Sequence, residues 1–139
     1  MSTYRPFFIS LILLVLAGFA GACGGSKDSP SAAYTTISVQ EAYQHIGENS
    51  SAVFIDVRNP EEWATGHPDG AILIPLSEFD QAAPAQLTDK NAEIYVICNS
   101  GNRSKTASQK LIDLGYTRVF NIDGGYKAWS AANLPSRID

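Results

Sequence analysis

Cys98 stands directly after the strand-like run Glu93–Ile97 (EIYVI) and directly before Asn99-Ser100-Gly101-Asn102-Arg103-Ser104. A cysteine that merely ends a strand is a small buried hydrophobe, and such a residue has no need of this loop. Asn and Ser are short and polar, and Gly101 permits a tight turn that can gather several backbone N–H groups at one point. Arg103 adds a fixed positive charge at the rim of the loop or beneath it. A helix is expected from about Arg103 to Leu114, so its unpaired N–H groups and positive dipole end face back toward the sulfur. An anion is stabilised there, and a thiolate is an anion. The pattern points to a nucleophilic sulfur that holds negative charge and can accept a second sulfur atom.

The surrounding elements read as an α/β fold with a mostly parallel five-stranded sheet flanked by helices. Strands are expected at Tyr34–Ile37, Ala52–Val57, Ala71–Ile74, Glu93–Ile97 and Thr117–Asn121. Ser38 with Glu41 forms a capping box that opens a helix over Val39–Ile46, which Gly47 is expected to end. Asn59-Pro60-Glu61-Glu62 combines an N-cap, a proline at the first helical position and two first-turn acids. That short helix should stop at Gly66. A short helix with loop over Ser77–Leu87 is expected to be interrupted by Pro84. Gly124-Gly125 should turn the chain into a last helix, Tyr126–Ala132, anchored in the core by Trp129. In such sheets ligands bind beyond the carboxyl ends of the strands, where Cys98 lies.

Other candidates are weaker. Asp56 can pair with Arg58 or with Arg103 and so support the loop, and Arg58 could assist anion binding. Glu61 and Glu62 read as helix-start residues. His45 and His67 are the only histidines, and no Cys or His cluster accompanies them, so no metal site is expected. His67 is expected to make a structural hydrogen bond, and Trp63 and Trp129 to pack the core.

The N-terminus suggests targeting. Arg5 precedes the apolar run Phe7–Ala22, which is shorter than a spanning helix and ends in small residues. Ala20-Gly21-Ala22 before Cys23 resembles a bacterial lipobox, which implies cleavage before Cys23 and lipid on its sulfur. An uncleaved anchor helix and an ordinary secretory signal are the alternatives. The expected organisation is a lipoprotein signal peptide over 1–22, a Gly/Ser/Pro-rich lipid-attached tether over 23–33, and one folded domain over 34–138. Its location would be the cell envelope, with membrane contact through the lipid anchor only. With Cys23 acylated, Cys98 is the one thiol left of two. The 139 residues leave room for a single domain. Apolar residues at 45% and charged residues at 17% are globular composition. Ten basic against 14 acidic residues, a net charge of −4 and no basic block exclude a nucleic-acid backbone as partner.

The segment from Cys98 to Ser104 resembles the active loop of rhodanese-like domains. Three further segments agree in order. Asp56-Val57-Arg58 with Glu61-Glu62-Trp63 resembles the family's early motif. Gly66-His67 with Gly70-Ala71 resembles its second motif, with Pro68-Asp69 where the family usually has Ile-Pro. Val119-Phe120-Asn121-Ile122 with Gly124-Gly125 and Trp129 resembles its C-terminal motif. The resemblance spans about Tyr34 to Leu134. It implies a thiosulfate sulfurtransferase: Cys98 takes the outer sulfur of a small anionic donor, becomes a persulfide cradled by the amides of residues 99–103, and passes the sulfur to a thiol, to cyanide or to a sulfur-accepting protein. No metal or organic cofactor is implied. A persulfide carrier or redox-sensing module serving a protein partner is an alternative, and so is an enzyme like a phosphatase or arsenate reductase. The cysteine loops of those enzymes carry one residue more between Cys and Arg than the four of Asn99–Asn102.

Overall fold

The computed structural model describes residues 32–139. The expected signal segment, Cys23 and all but the last two residues of the tether fall outside the described residues.

Among the described residues, seven strands and five α-helices follow one another in chain order: β1 (Thr35–Ile37), α1 (Val39–Glu48), β2 (Val53–Asp56), α2 (Pro60–Ala64), β3 (His67–Pro68), β4 (Ile72–Leu73), α3 (Phe79–Gln86), β5 (Glu93–Ile97), α4 (Asn102–Asp113), β6 (Arg118–Ile122), α5 (Gly125–Ala131) and β7 (Ser136–Arg137). A short 3-10 turn, Leu76–Glu78, leads into α3. Five strands form one sheet in the order β1-β6-β5-β2-β4, and every neighbouring pair is parallel. β5 is therefore central, with β2 and β6 on either side.

A strand covered on both faces is near-continuously apolar, and β5 is so after its half-buried first residue, Glu93. Ile94, Val96 and Cys98 face one side, in a core shared with Phe79 of α3 and Ala107 and Leu111 of α4. Tyr95 and Ile97 face the other, with Ala42 of α1 and Trp129 of α5. The alternation is the two-residue period of a strand, and it places Sγ on the α4 side. Each Ile, Leu or Phe fully buried in these layers contributes about 1.5–3 kcal/mol. Trp129 is the core anchor expected, and its indole N–H donates to the Pro135 carbonyl at 2.9 Å.

Local chemistry explains both the agreements and the departures. The Ser38 capping box forms: the Glu41 amide donates to Ser38 Oγ at 3.2 Å and the Ser38 amide to Glu41 Oε2 at 2.8 Å. α1 does not stop at Gly47. Gly47 keeps a right-handed backbone, and the helix ends at Asn49, which is extended and donates its side-chain amide to Glu93 Oε2 at 2.7 Å. Pro84 does not interrupt α3, because it costs one backbone donor while the buried Phe79 and Ala83 hold the helix to the core. The third expected strand is reduced to Ile72–Leu73, at the sheet edge beside β2. A separate two-stranded ribbon was not expected: β3 pairs antiparallel with β7, His67 opposite Arg137 and Pro68 opposite Ser136. Within that region the Pro68 carbonyl accepts from the Ala71 amide at 3.3 Å. Gly70 takes φ +79°, the left-handed third position of a type II turn.

Candidate active site

Cys98 lies one residue beyond β5 and is 1% exposed. The chain turns at once: Gly101 takes φ +100° as the N-cap of α4. Its amide donates to Cys98 Sγ at 3.0 Å. Ser104, in the first turn of α4, places Oγ 3.4 Å from the sulfur. Burial is the largest influence on the thiol and pushes its pKa up. The Ser104 hydroxyl and the amides of Ser104, Gly101 and Ser100 together outweigh burial and bring the pKa below the ordinary thiol value.

The loop is shaped from the far side by α5. The amide of Tyr126 donates to the Cys98 carbonyl at 2.7 Å, and that of Lys127 to the Asn99 carbonyl at 3.1 Å. A trans peptide points its N–H opposite to its C=O. Drawing these two carbonyls toward α5 therefore turns the amides of Asn99 and Ser100 away from it. Gly125 makes this approach possible. It has φ +61°, and a Cβ there would lie 2.5 Å from the Cys98 carbonyl oxygen.

Asp56 pairs with Arg58 and not with Arg103. Arg58 Nη2 and Nε reach Asp56 Oδ2 at 2.7 and 2.8 Å, and the pair is fully buried. Arg58 also donates to the Gly66 carbonyl at 2.8 Å and lies 4.2 Å over the ring of Tyr126. Its charge is thus buried against the Asp56 carboxylate, and it supports Tyr126, whose amide grips the Cys98 carbonyl. Arg103 stands at the rim and makes a two-pronged pair with Glu62, at 2.7 Å for each oxygen. The Arg103 guanidinium pulls the Glu62 carboxyl down to about 2. Asn99 is half-buried, Ser100 and Asn102 are exposed, and Gly101 and Ser104 are buried. His67 is buried, stacked on Trp63, with Nδ1 3.3 Å from the Trp63 carbonyl.

Three contributors were missed in the sequence. Glu62 looked like a helix-start acid, and it is one: it also accepts the Asn59 amide at 3.0 Å. Gly125 carries a turn signal and belongs to the segment resembling the family's C-terminal motif, but neither shows that it packs against the cysteine loop. Asn121 is wholly buried in β6 and accepts from Ser104 Oγ at 2.6 Å. A polar residue inside an apolar strand signals a required partner, and Asn121 in VFNI carried that signal.

The family description "Rhodanese-like domain" matches residues 38–132. A rhodanese-related protein from Thermoplasma volcanium is 29% identical with a TM-score of 0.66, over 76% of this chain and 100% of that one. A structure described as rhodanese with anions from E. coli is 38% identical with a TM-score of 0.57, over 63% of this chain and 99% of that one. A thiosulfate sulfurtransferase from Pseudomonas aeruginosa shares the fold, at 21% identity and a TM-score of 0.67, over 76% of this chain and 20% of that one. With a cysteine loop at the carboxyl end of a central parallel strand and the family match across nearly the whole described domain, the chain belongs to the rhodanese-like domain family.

Proposed function

We propose that the protein is a sulfurtransferase that carries sulfane sulfur on Cys98. The observation that carries this reading is the Gly101 amide set 3.0 Å from a buried sulfur at the start of α4. The Cys98 thiolate attacks the outer sulfur of thiosulfate; the S–S bond of the donor breaks, and sulfite leaves with the electron pair. Cys98 then bears a persulfide whose terminal sulfur holds the negative charge. The backbone amides stabilise that charge as an oxyanion hole stabilises oxygen. A thiol or cyanide attacks the terminal sulfur and the Cys98 thiolate departs, so no net oxidant or reductant is consumed. Two half-reactions of this kind give ping-pong kinetics.

Intact mass of a chain beginning at Ser26, after thiosulfate treatment, tests the reading. A gain of about 32 Da, absent in Cys98→Ser and discharged by cyanide or a thiol, is the persulfide expected of a covalent intermediate. No adduct from thiosulfate or from a persulfide donor would refute it, and turnover of aryl phosphates would favour a phosphatase-like enzyme instead.

A second reading is favoured by Arg103, whose charge is matched by Glu62. With that cation engaged and Arg58 buried, attraction for a doubly charged donor is weak. The domain would then act as a persulfide carrier or redox-sensing module for a protein partner, loading from persulfides and discharging to one protein. The proposal extends to location: Cys23 carries lipid and tethers the domain in the cell envelope. Metabolic labelling with a fatty acid, lost in Cys23→Ala, is the expected result, and unlabelled wild-type protein would refute it.

A further inference from the structure

Ser104 has one hydroxyl proton and three acceptors within reach. Cys98 Sγ lies at 3.4 Å, the Gly101 carbonyl at 3.1 Å and Asn121 Oδ1 at 2.6 Å. The shortest of these contacts takes the proton, because O–H···O bonds are strongest near 2.7 Å. With the proton committed to Asn121, Ser104 accepts from the Cys98 thiol and cannot donate to a thiolate. The other end of the Asn121 amide donates to Thr36 Oγ1, at 3.3 Å, on the exposed edge strand β1.

We propose that Asn121 is the positioning residue that sets the direction of the Ser104 hydroxyl and thereby the ionisation of Cys98. Two hydrogen-bond arrangements satisfy every group in the chain Cys98–Ser104–Asn121–Thr36. In one, the thiol donates to Ser104, Ser104 to Asn121 Oδ1, and Asn121 Nδ2 to Thr36. In the other, the amide is turned by half a revolution. Asn121 Nδ2 then donates to Ser104 Oγ, Ser104 donates to the thiolate, and the Thr36 hydroxyl donates to Asn121 Oδ1. A side-chain amide has a donor at one end and an acceptor at the other, and a hydroxyl can do either. Loss of the thiol proton to solvent is thus coupled to an amide turn. The other charged or titratable groups around the loop are the Asp56–Arg58 pair from β2, the Glu62–Arg103 pair joining α2 and α4, Asp123 after β6 and Tyr126 on α5. None of them is hydrogen-bonded to Ser104 or Asn121.

This inference builds on the reading of Cys98 as the reacting thiolate, but its test involves no sulfur transfer. The full chain carrying Cys23→Ser leaves Cys98 as the sole thiol. The pH profile of its alkylation by iodoacetamide reports the Cys98 pKa. Asn121→Asp presents acceptors only, locks the Ser104 proton away from the sulfur and should raise the alkylation pKa by at least about one unit, a tenfold loss of thiolate below it. Asn121→Ala removes the competing acceptor and should not raise it. In a Ser104→Ala background the effect of Asn121→Asp should shrink by at least half, which separates action through Ser104 from direct charge repulsion. Equal shifts with and without Ser104, or an equal rise in Asn121→Ala, would overturn the proposal. Should the aspartate variant not fold, the side-chain amide resonances of Asn121 in the Cys23→Ser protein decide. They should titrate with the alkylation pKa of Cys98, and resonances that stay fixed through that pKa would also overturn it.

Discussion

Replacing Gly125 by Ala tests how far the thiolate loop depends on its seat against α5. Gly125 has φ +61°, and a Cβ there would meet the Cys98 carbonyl oxygen and the Asn99 carbonyl carbon at 2.5 Å, with the Asn99 oxygen at 2.6 Å. The left-handed backbone alone costs an L-residue about 1–2 kcal/mol. The neighbours are backbone and cannot rotate aside, so overpacking adds about 1–3 kcal/mol. At about 4–8 °C per kcal/mol for a domain of this size, the variant should melt at least about 8 °C below wild type. Gly124→Ala is the matched control. It carries the same left-handed penalty at φ +73°, but its Cβ meets the Ala128 methyl at 2.6 Å and not the loop. Both variants should be destabilised. Only Gly125→Ala should displace the carbonyls that Tyr126 and Lys127 hold, and so lose fast alkylation of Cys98 below the usual thiol pKa. Melting curves and iodoacetamide kinetics, taken below both transitions, decide the matter. A Gly125→Ala protein that melts with wild type, or keeps its alkylation profile, would refute the reasoning.

Two further outcomes are expected. Asp56→Asn leaves the buried Arg58 guanidinium without its counter-charge and should cost about 3–5 kcal/mol in urea unfolding; a loss under 1 kcal/mol would mean that the Gly66 carbonyl and the Tyr126 ring suffice. Glu62→Gln should cost no more than about 1 kcal/mol, since the pair with Arg103 is one-third exposed. Its sign with pH is fixed: Glu62 is depressed from 4.5 to about 2 in the folded protein, so its stabilisation is complete above about pH 4.5 and lost as the pH falls through about 2. Variant and wild type should therefore converge in acid, and a gap that persists there would show that the charge is not what matters.

Strong local signals carried most of the fold. β5 was readable because the residues after Glu93 form a continuous apolar run, as a strand covered on both faces requires, and α1 because Ser38 and Glu41 satisfy each other's amides. The cysteine loop was readable because turn-prone polar residues cannot extend a strand. What stayed hidden depends on partners far along the chain. β3 and β7 have two residues each, too few to show a period. Asp56 had two arginines to choose from, and burial beside Gly66 and Tyr126 selected Arg58. Glu62 and Gly125 each satisfy a local rule as well as a distant one, and the local rule was sufficient to explain them. Gly47 and Pro84 show the reverse: both are helix breakers by propensity, and both are overridden, by a cap two residues on and by core contacts.

The strand order also sets a timetable for synthesis. β1 has one neighbour, β6, with Thr35 opposite Phe120, and the central β5 cannot be enclosed until β6 arrives. As the chain leaves the ribosome its first strand has nothing to pair with until residues 118–122 have emerged. Parallel pairings so distant in sequence form slowly. Throughout that interval the β6-facing edge of the central strand β5 is open to solvent, so a holding factor or rapid passage through synthesis matters more for this topology than for a hairpin-based one.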